Sequence, residues 1–151
     1  MILAISLELL LPLVCAWAKW HESIILKTGA PLADAQIRIA RTVGIAHPER
    51  VRLLAVPQVP PTNWLFQRVG EAVGLSPSQT LGMTLKYGIF IRATHWGDRQ
   101  LLVHELAHVV QYERMGGFYR FLRQYLRECA NPGYPFGDLE QEAKRAELRY
   151  S

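Results

Sequence analysis

The chain has 151 residues, half of them apolar and a fifth charged, which is enough to close one ordinary hydrophobic core and predicts a single domain. A net charge of +4 attracts acidic partners weakly and does not by itself make a nucleic-acid binder. Two cysteines far apart, Cys15 and Cys129, exclude a disulfide framework or a four-cysteine zinc site and make a reducing, cytoplasmic compartment the default.

The first segment, MILAISLELLLPLVCAWA, raises the question of export. No Lys or Arg precedes it, Glu8 sits inside it, and Val14 before Cys15 fits a lipoprotein cleavage site poorly, so cleavage is not expected. The run is near the minimum spanning length and is followed by Lys19, so one reading is a helix associated with a membrane. The favoured reading is a helix packed on the core through Leu13, Trp17, Trp20 and Ile24, at i, i+4, i+7 and i+11. Residues 1–28 are thus set apart as an N-terminal apolar helix, packing or membrane-associated. Residues 29–151 form the domain expected to carry function.

After a stop at Thr28-Gly29, PLADAQIRIARTVG predicts a short helix between Pro31 and Gly44, with Leu32, Ile39 and Val43 on its buried side. VRLLAV (51–56), closed off by PQVPP, reads as a strand and a loop. Thr62 then caps a helix reaching to about Gly74. TLGMTLKYGIFIRAT splits into strands near 81–85 and 89–94 around Lys86, Tyr87 and Gly88, the pattern of a hairpin. Asp98 is a good N-cap for the next helix, which Gly116-Gly117 ends. FYRFLRQYLREC carries Phe118, Phe121, Leu122, Tyr125 and Leu126 on one side and a basic stripe of Arg120, Arg123 and Arg127 on the other. Its plain reading is a solvated face; contact with acidic lipid or nucleic acid is the alternative, although the stripe lacks the interleaved aromatics of single-strand binders. Asp138 and Gln141 form a capping box for a last helix, LEQEAKRAELRY.

HELAH, residues 104–108, lies in the helix that Asp98 opens. Residues four apart stack on one helical face, so His104 and His108 can share one metal ion. Two neutral imidazoles and a third ligand on zinc leave a fourth position for water, whose pKa falls to about 7, and Glu105 is placed to take its proton. The bland alternative is a pair of surface histidines that bind nothing. Against it, Leu102, Val103, Leu106, Val109 and Val110 form one apolar arc, and His104, His108, Gln111 and Tyr112 lie opposite. Tyr112 and Met115 continue the histidine side, which predicts a cleft rather than open water. For the third ligand, the last helix offers Glu140 and Glu142, each about 80° to one side of the apolar line Leu139, Ala143, Ala146, Tyr150, and helical geometry does not choose between them. Both acids would also be favoured there by the helix dipole alone.

LLVHELAHVVQYERMGG, followed by GYPFGDLEQEA and preceded by GMTLKYGIFI, resembles small gluzincin-type metallopeptidases from about residue 50 onward; the first 30 residues match nothing of use. The resemblance implies that Glu140, the first acid of E-x-E-A, is the third zinc ligand, with Glu142 as the fallback. It departs from the family where Lys144 stands in place of an Asp or Asn that supports a ligating histidine. Such enzymes also use a Tyr or His donor beside the metal, for which Tyr134 in GYPF is the candidate, weighed against a loop aromatic packed on the core. His95 is a lone histidine that could enter the cleft, with a structural role the plainer reading.

The fold expected is α+β, a small, mostly antiparallel sheet over a zincin-like active-site helix with further C-terminal helices. The hairpin's outer strand, near Ile89–Arg92, would rim the cleft and accept an extended peptide. The expected function is zinc-dependent hydrolysis of peptide or protein substrates, with His104, His108 and Glu140 holding Zn²⁺, Glu105 as base and Tyr134 as donor. The rivals are a non-enzymatic membrane-surface or interaction domain, whose metal is structural or absent, and an acidic-polymer binder; a nucleic-acid partner is not expected.

Overall fold

The structure, a computed structural model, describes residues 2–60, 71 and 79–151. The helix expected from Thr62 lies outside these residues, apart from Glu71. In chain order the elements are α1 (Ile2–Thr28), β1 (Ala30–Pro31), α2 (Asp34–Val43), β2 (Arg52–Val56), β3 (Gly82–Leu85), β4 (Gly88–Arg92), α3 (Arg99–Met115), α4 (Phe118–Glu128) and α5 (Asp138–Tyr150). The architecture is α+β, with the strands in the order β1-β2-β4-β3.

The sheet is mixed: β1 and β3 pair antiparallel with their neighbours, whereas β2 and β4 at the centre run parallel, with Leu53 opposite Ile89 and Ala55 opposite Ile91. This corrects the expected outer strand. β4 is bonded on both sides and β3 is the edge among the described residues, because β2 returns to pair with the second strand of the hairpin and not with the first. The burial of β4 agrees: Gly88, Ile89, Phe90 and Ile91 are all buried, as expected of a strand covered on both faces.

Alternate residues of β4 feed two cores. Phe90 packs with Leu11, Cys15, Ala18 and Ile25 of α1 and with Phe118, Phe121 and Leu122 of α4. Ile89 and Ile91 pack with Leu32 and Ala40 around α2 and with Leu102, Leu106 and Val109 of α3. Gly88 lets α1 approach: a Cβ there would lie 3.0 Å from Cβ of Ile25.

The buried stripe of α1 is therefore Leu11, Cys15, Ala18 and Ile25; the helix packs on the core as expected, and of the expected stripe Trp17 reaches that core, whereas Leu13 is 64 % and Trp20 62 % exposed. A helix apolar all round offers no contrast from which periodicity could choose a side. The arginine stripe of α4 is not simply solvated either. Arg123 Nε lies 2.9 Å from Oε1 of Glu8, and Arg127 contacts the same oxygen, tying α4 to α1.

Helix ends follow the chemistry with one exception. Asp98 accepts from the N–H of Leu101 and opens α3, and Gly116, with φ 83°, closes it in the left-handed region that favours glycine. Gly44 closes α2 as expected. The exception is α5. Its N-cap is Gly137, so Asp138 falls inside the first turn and the capping box does not form. Glu128 at the end of α4 takes that role by accepting from the N–H of Leu139 at 2.9 Å.

Candidate metal centre

α3 and α5 pack along each other and bring three side chains together. Nε2 of His104 lies 3.1 Å from Oε2 of Glu140, and Nε2 of His108 lies 3.1 Å from Oε1 of the same carboxylate. One ligand atom from each residue fits within a 4.8 Å span. Ligands about 2.0–2.1 Å from a tetrahedral zinc stand about 3.3 Å from one another. Both nitrogen–oxygen separations are close to that, no pair in the set exceeds 4.8 Å, and two imidazoles with one carboxylate are a donor set zinc accepts. The residues therefore fit the ion.

Each imidazole is held from behind. Gln111 donates from Nε2 to the carbonyl of Leu139 at 2.9 Å, which turns its Oε1 toward Nδ1 of His108, 2.8 Å away. That oxygen accepts, so Nδ1 carries the proton and Nε2 is left as the ligating atom. Nδ1 of His104 faces Oε2 of Glu147 at 3.2 Å, and Lys144 reaches the other oxygen of Glu147 at 3.2 Å. Lys144 thus steadies an acid seven residues beyond Glu140, and Glu147 supports the histidine. The spacing 140, 144, 147 puts all three on one face of α5. That signal is legible once α5 is known to face α3.

Glu142 is engaged elsewhere. Its carboxylate makes a two-pronged pair with Arg114, at 2.9 and 3.2 Å, and it does not join the cluster. Glu140 is the acid that meets the histidines.

Glu105 is buried at the sheet edge. Its Oε2 accepts from the Thr84 hydroxyl at 2.6 Å, and the same hydroxyl reaches the Glu105 carbonyl at 3.0 Å. A Cβ on Gly82 would lie 2.8 Å from Oε1 of Glu105. Small residues on β3 therefore make room for the carboxylate. Tyr125, one turn beyond Phe121 on α4, donates to Oε1 of Glu140 at 2.7 Å. Sequence reasoning placed Tyr125 in the core and missed this contact. Tyr134 stands on the loop into α5 and is 41 % exposed. Burial, with the nearby charges of Glu140 and Glu105, pushes its phenol up to about 12.

The charges of the cluster hold one another. Burial pulls the His104 imidazole down, but hydrogen bonding to Glu140, the charges of Glu105 and Glu140, and the contact with Glu147 outweigh it and lift the ring to about 9. His108 is raised in the same way, burial opposing and Glu140 prevailing. Burial pushes Glu140 up, and its two histidine partners overcome that and hold it well below the usual carboxylate range. Protons on the imidazoles stand in for a cation.

One expectation needs correction, and for His95 the plainer reading stands. The histidine side of α3 does not line an open cleft, because α5, α4 and β3 close over it: Glu105, His108, Gln111, Tyr112 and Glu140 are all buried, and His104 is the most open of the three ligand candidates. His95 does not join the site. It lies on a turn over Ala93–His95, bonded to Thr94, and borders a depression with Gln36, Ile39 and Trp96.

No protein-family model, curated protein or solved structure matches the chain.

Proposed function

We propose that the chain is a zinc-dependent peptidase of the gluzincin kind, acting on peptide or protein substrates. The observation that carries this reading is the convergence of His104, His108 and Glu140 within a 4.8 Å span, beside the buried carboxylate of Glu105. Zinc bound there supplies a Lewis acid that polarises a carbonyl and makes water acidic near neutral pH.

The protein's own groups do the rest. Glu105, fixed on one oxygen by Thr84, is the general base that takes the proton of the attacking water. Gln111 and Glu147 keep both imidazoles turned with Nε2 toward Glu140. Tyr134 stays protonated over the working pH range and serves as hydrogen-bond donor to charge that develops on the substrate oxygen. The edge strand β3 carries both Thr84 and Gly82, so an extended peptide adding to that edge would run past Glu105.

A cytoplasmic setting, with membrane association through α1, belongs to the same proposal; Cys15 and Cys129 are free and buried. The exposed apolar side of α1 favours a second reading, a non-enzymatic membrane-surface domain with a structural metal. Glu105→Gln separates the two. Under the peptidase reading it keeps its zinc and loses hydrolysis by about 10²–10⁴-fold, the usual contribution of a general base. Hydrolysis equal to that of the wild type would refute it.

A further inference from the structure

α1 covers the sheet with one side and turns a second apolar side outward. Leu9 is 75 %, Leu13 64 % and Trp20 62 % exposed. They stand at i, i+4 and i+11, one line about 16 Å long on the side opposite Leu11, Ala18 and Ile25. A single exposed leucine is ordinary, whereas a stripe along a helix marks a contact surface.

The charge bordering the stripe is mostly of one sign. Lys19 and Lys27 of α1 are exposed. Glu8 is held by Arg123 and Arg127. The other nearby acids turn inward, Glu22 to the N–H of Tyr87 and Glu128 to that of Leu139. The surface is therefore apolar along its axis and cationic beside it, which complements an anionic bilayer and opposes a second copy of the same surface.

By length and composition Ser6–Thr28 is apolar enough to cross a membrane. Its contacts with the rest of the domain argue against crossing, because they run along the helix: Glu8 to α4, Leu11 and Cys15 in the core, Glu22 to Tyr87, and Ile25 against Gly88. Spanning would strip the sheet of its cover. We infer that α1 is an in-plane membrane helix, seating Leu9, Leu13 and Trp20 at the headgroup and acyl boundary of a bilayer rich in anionic lipid, with Lys19 and Lys27 against the headgroups. This rests on the proposed membrane association and on nothing in the metal site.

The test uses the full chain with phosphatidylcholine vesicles, with and without phosphatidylglycerol. The protein should sediment with the anionic vesicles and be released by alkaline carbonate, and its tryptophan emission should shift to the blue, a shift lost in Trp20→Phe. Leu13→Glu should weaken partitioning by more than about tenfold, and Lys27→Ala by about fivefold. Both replace exposed side chains, so thermal melts should stay at the wild-type value. The inference is overturned by no preference for anionic vesicles, by carbonate-resistant insertion, or by a dimer in sedimentation that Leu13→Glu dissolves. Shielding of Trp20 from acrylamide in lipid-free protein would equally overturn it, since a segment of the chain itself would then cover the stripe.

Discussion

Glu147 lies 3.2 Å from Nδ1 of His104, on the helix face that also presents Glu140 to Nε2 of the same ring. One imidazole is thus gripped at both nitrogens by acids two turns apart on α5. Orienting partners of this kind typically change metal affinity by about 10–100-fold. Glu147→Ala should weaken zinc binding by that factor in a chelator competition, and Lys144→Ala, which frees Glu147 without removing it, should weaken it less. Unchanged affinity in Glu147→Ala would show that His104 needs no such support.

The two acids at the start of α5 should behave differently. Glu140→Gln should abolish tight zinc binding, because the residue touches both imidazoles. Glu142→Gln should keep it and cost about 0–1 kcal/mol of stability, the range for a solvent-exposed ion pair such as that with Arg114. Zinc titration with a thermal melt checks both, and the reverse pattern would move the ligand to Glu142.

Stability of the metal-free protein should depend on pH in two windows. His104 rises from 6.5 to about 9 on folding, so its contribution is complete below 6.5 and fades as pH climbs through 9. Glu140 is lowered from 4.5, so its contribution is complete above that value and fades on acidification. Chemical denaturation should find the cluster's stabilisation greatest between about 4.5 and 6.5 and declining on either side. Zinc must displace the imidazole protons, so its affinity should rise with pH up to about 9 and binding should release protons, measurable by calorimetry in buffers of different ionisation enthalpy.

Thr84→Val removes the donor from a buried carboxylate and should cost about 1–3 kcal/mol. Gly82→Ala puts a methyl group 2.8 Å from Oε1 of Glu105 and should displace the side chain. Both variants should keep their zinc and lose hydrolysis, and Thr84→Ser should recover most of it. Loss of zinc in Gly82→Ala would mean that the edge strand shapes the metal ligands and not the base.

Local chemistry was legible in the sequence wherever one residue type decides the outcome. Asp98 and Gly116 bound α3, Gly44 ends α2, and the four-residue spacing of His104 and His108 fixes their shared face. What escaped was set by distant pairing or by absent contrast. The strand order depends on β2 meeting β4 across some thirty residues of intervening chain, and no local pattern records that. The uniformly apolar α1 gave no clue to its buried side. Gln111 and Tyr125 were placed on their helices by periodicity, yet their roles emerge only when α4 and α5 close on α3. Geometry alone left Glu140 and Glu142 tied, and the engagement of Glu142 by Arg114 separates them in the fold.

The most direct measurement is the metal content of the protein purified without added chelator, compared with His104→Ala, His108→Ala and Glu140→Ala under the same conditions. The account predicts one zinc per chain in the wild type and almost none in the three variants, each still folded by circular dichroism. Equal metal in all four, or none in zinc-supplied wild type, would contradict it.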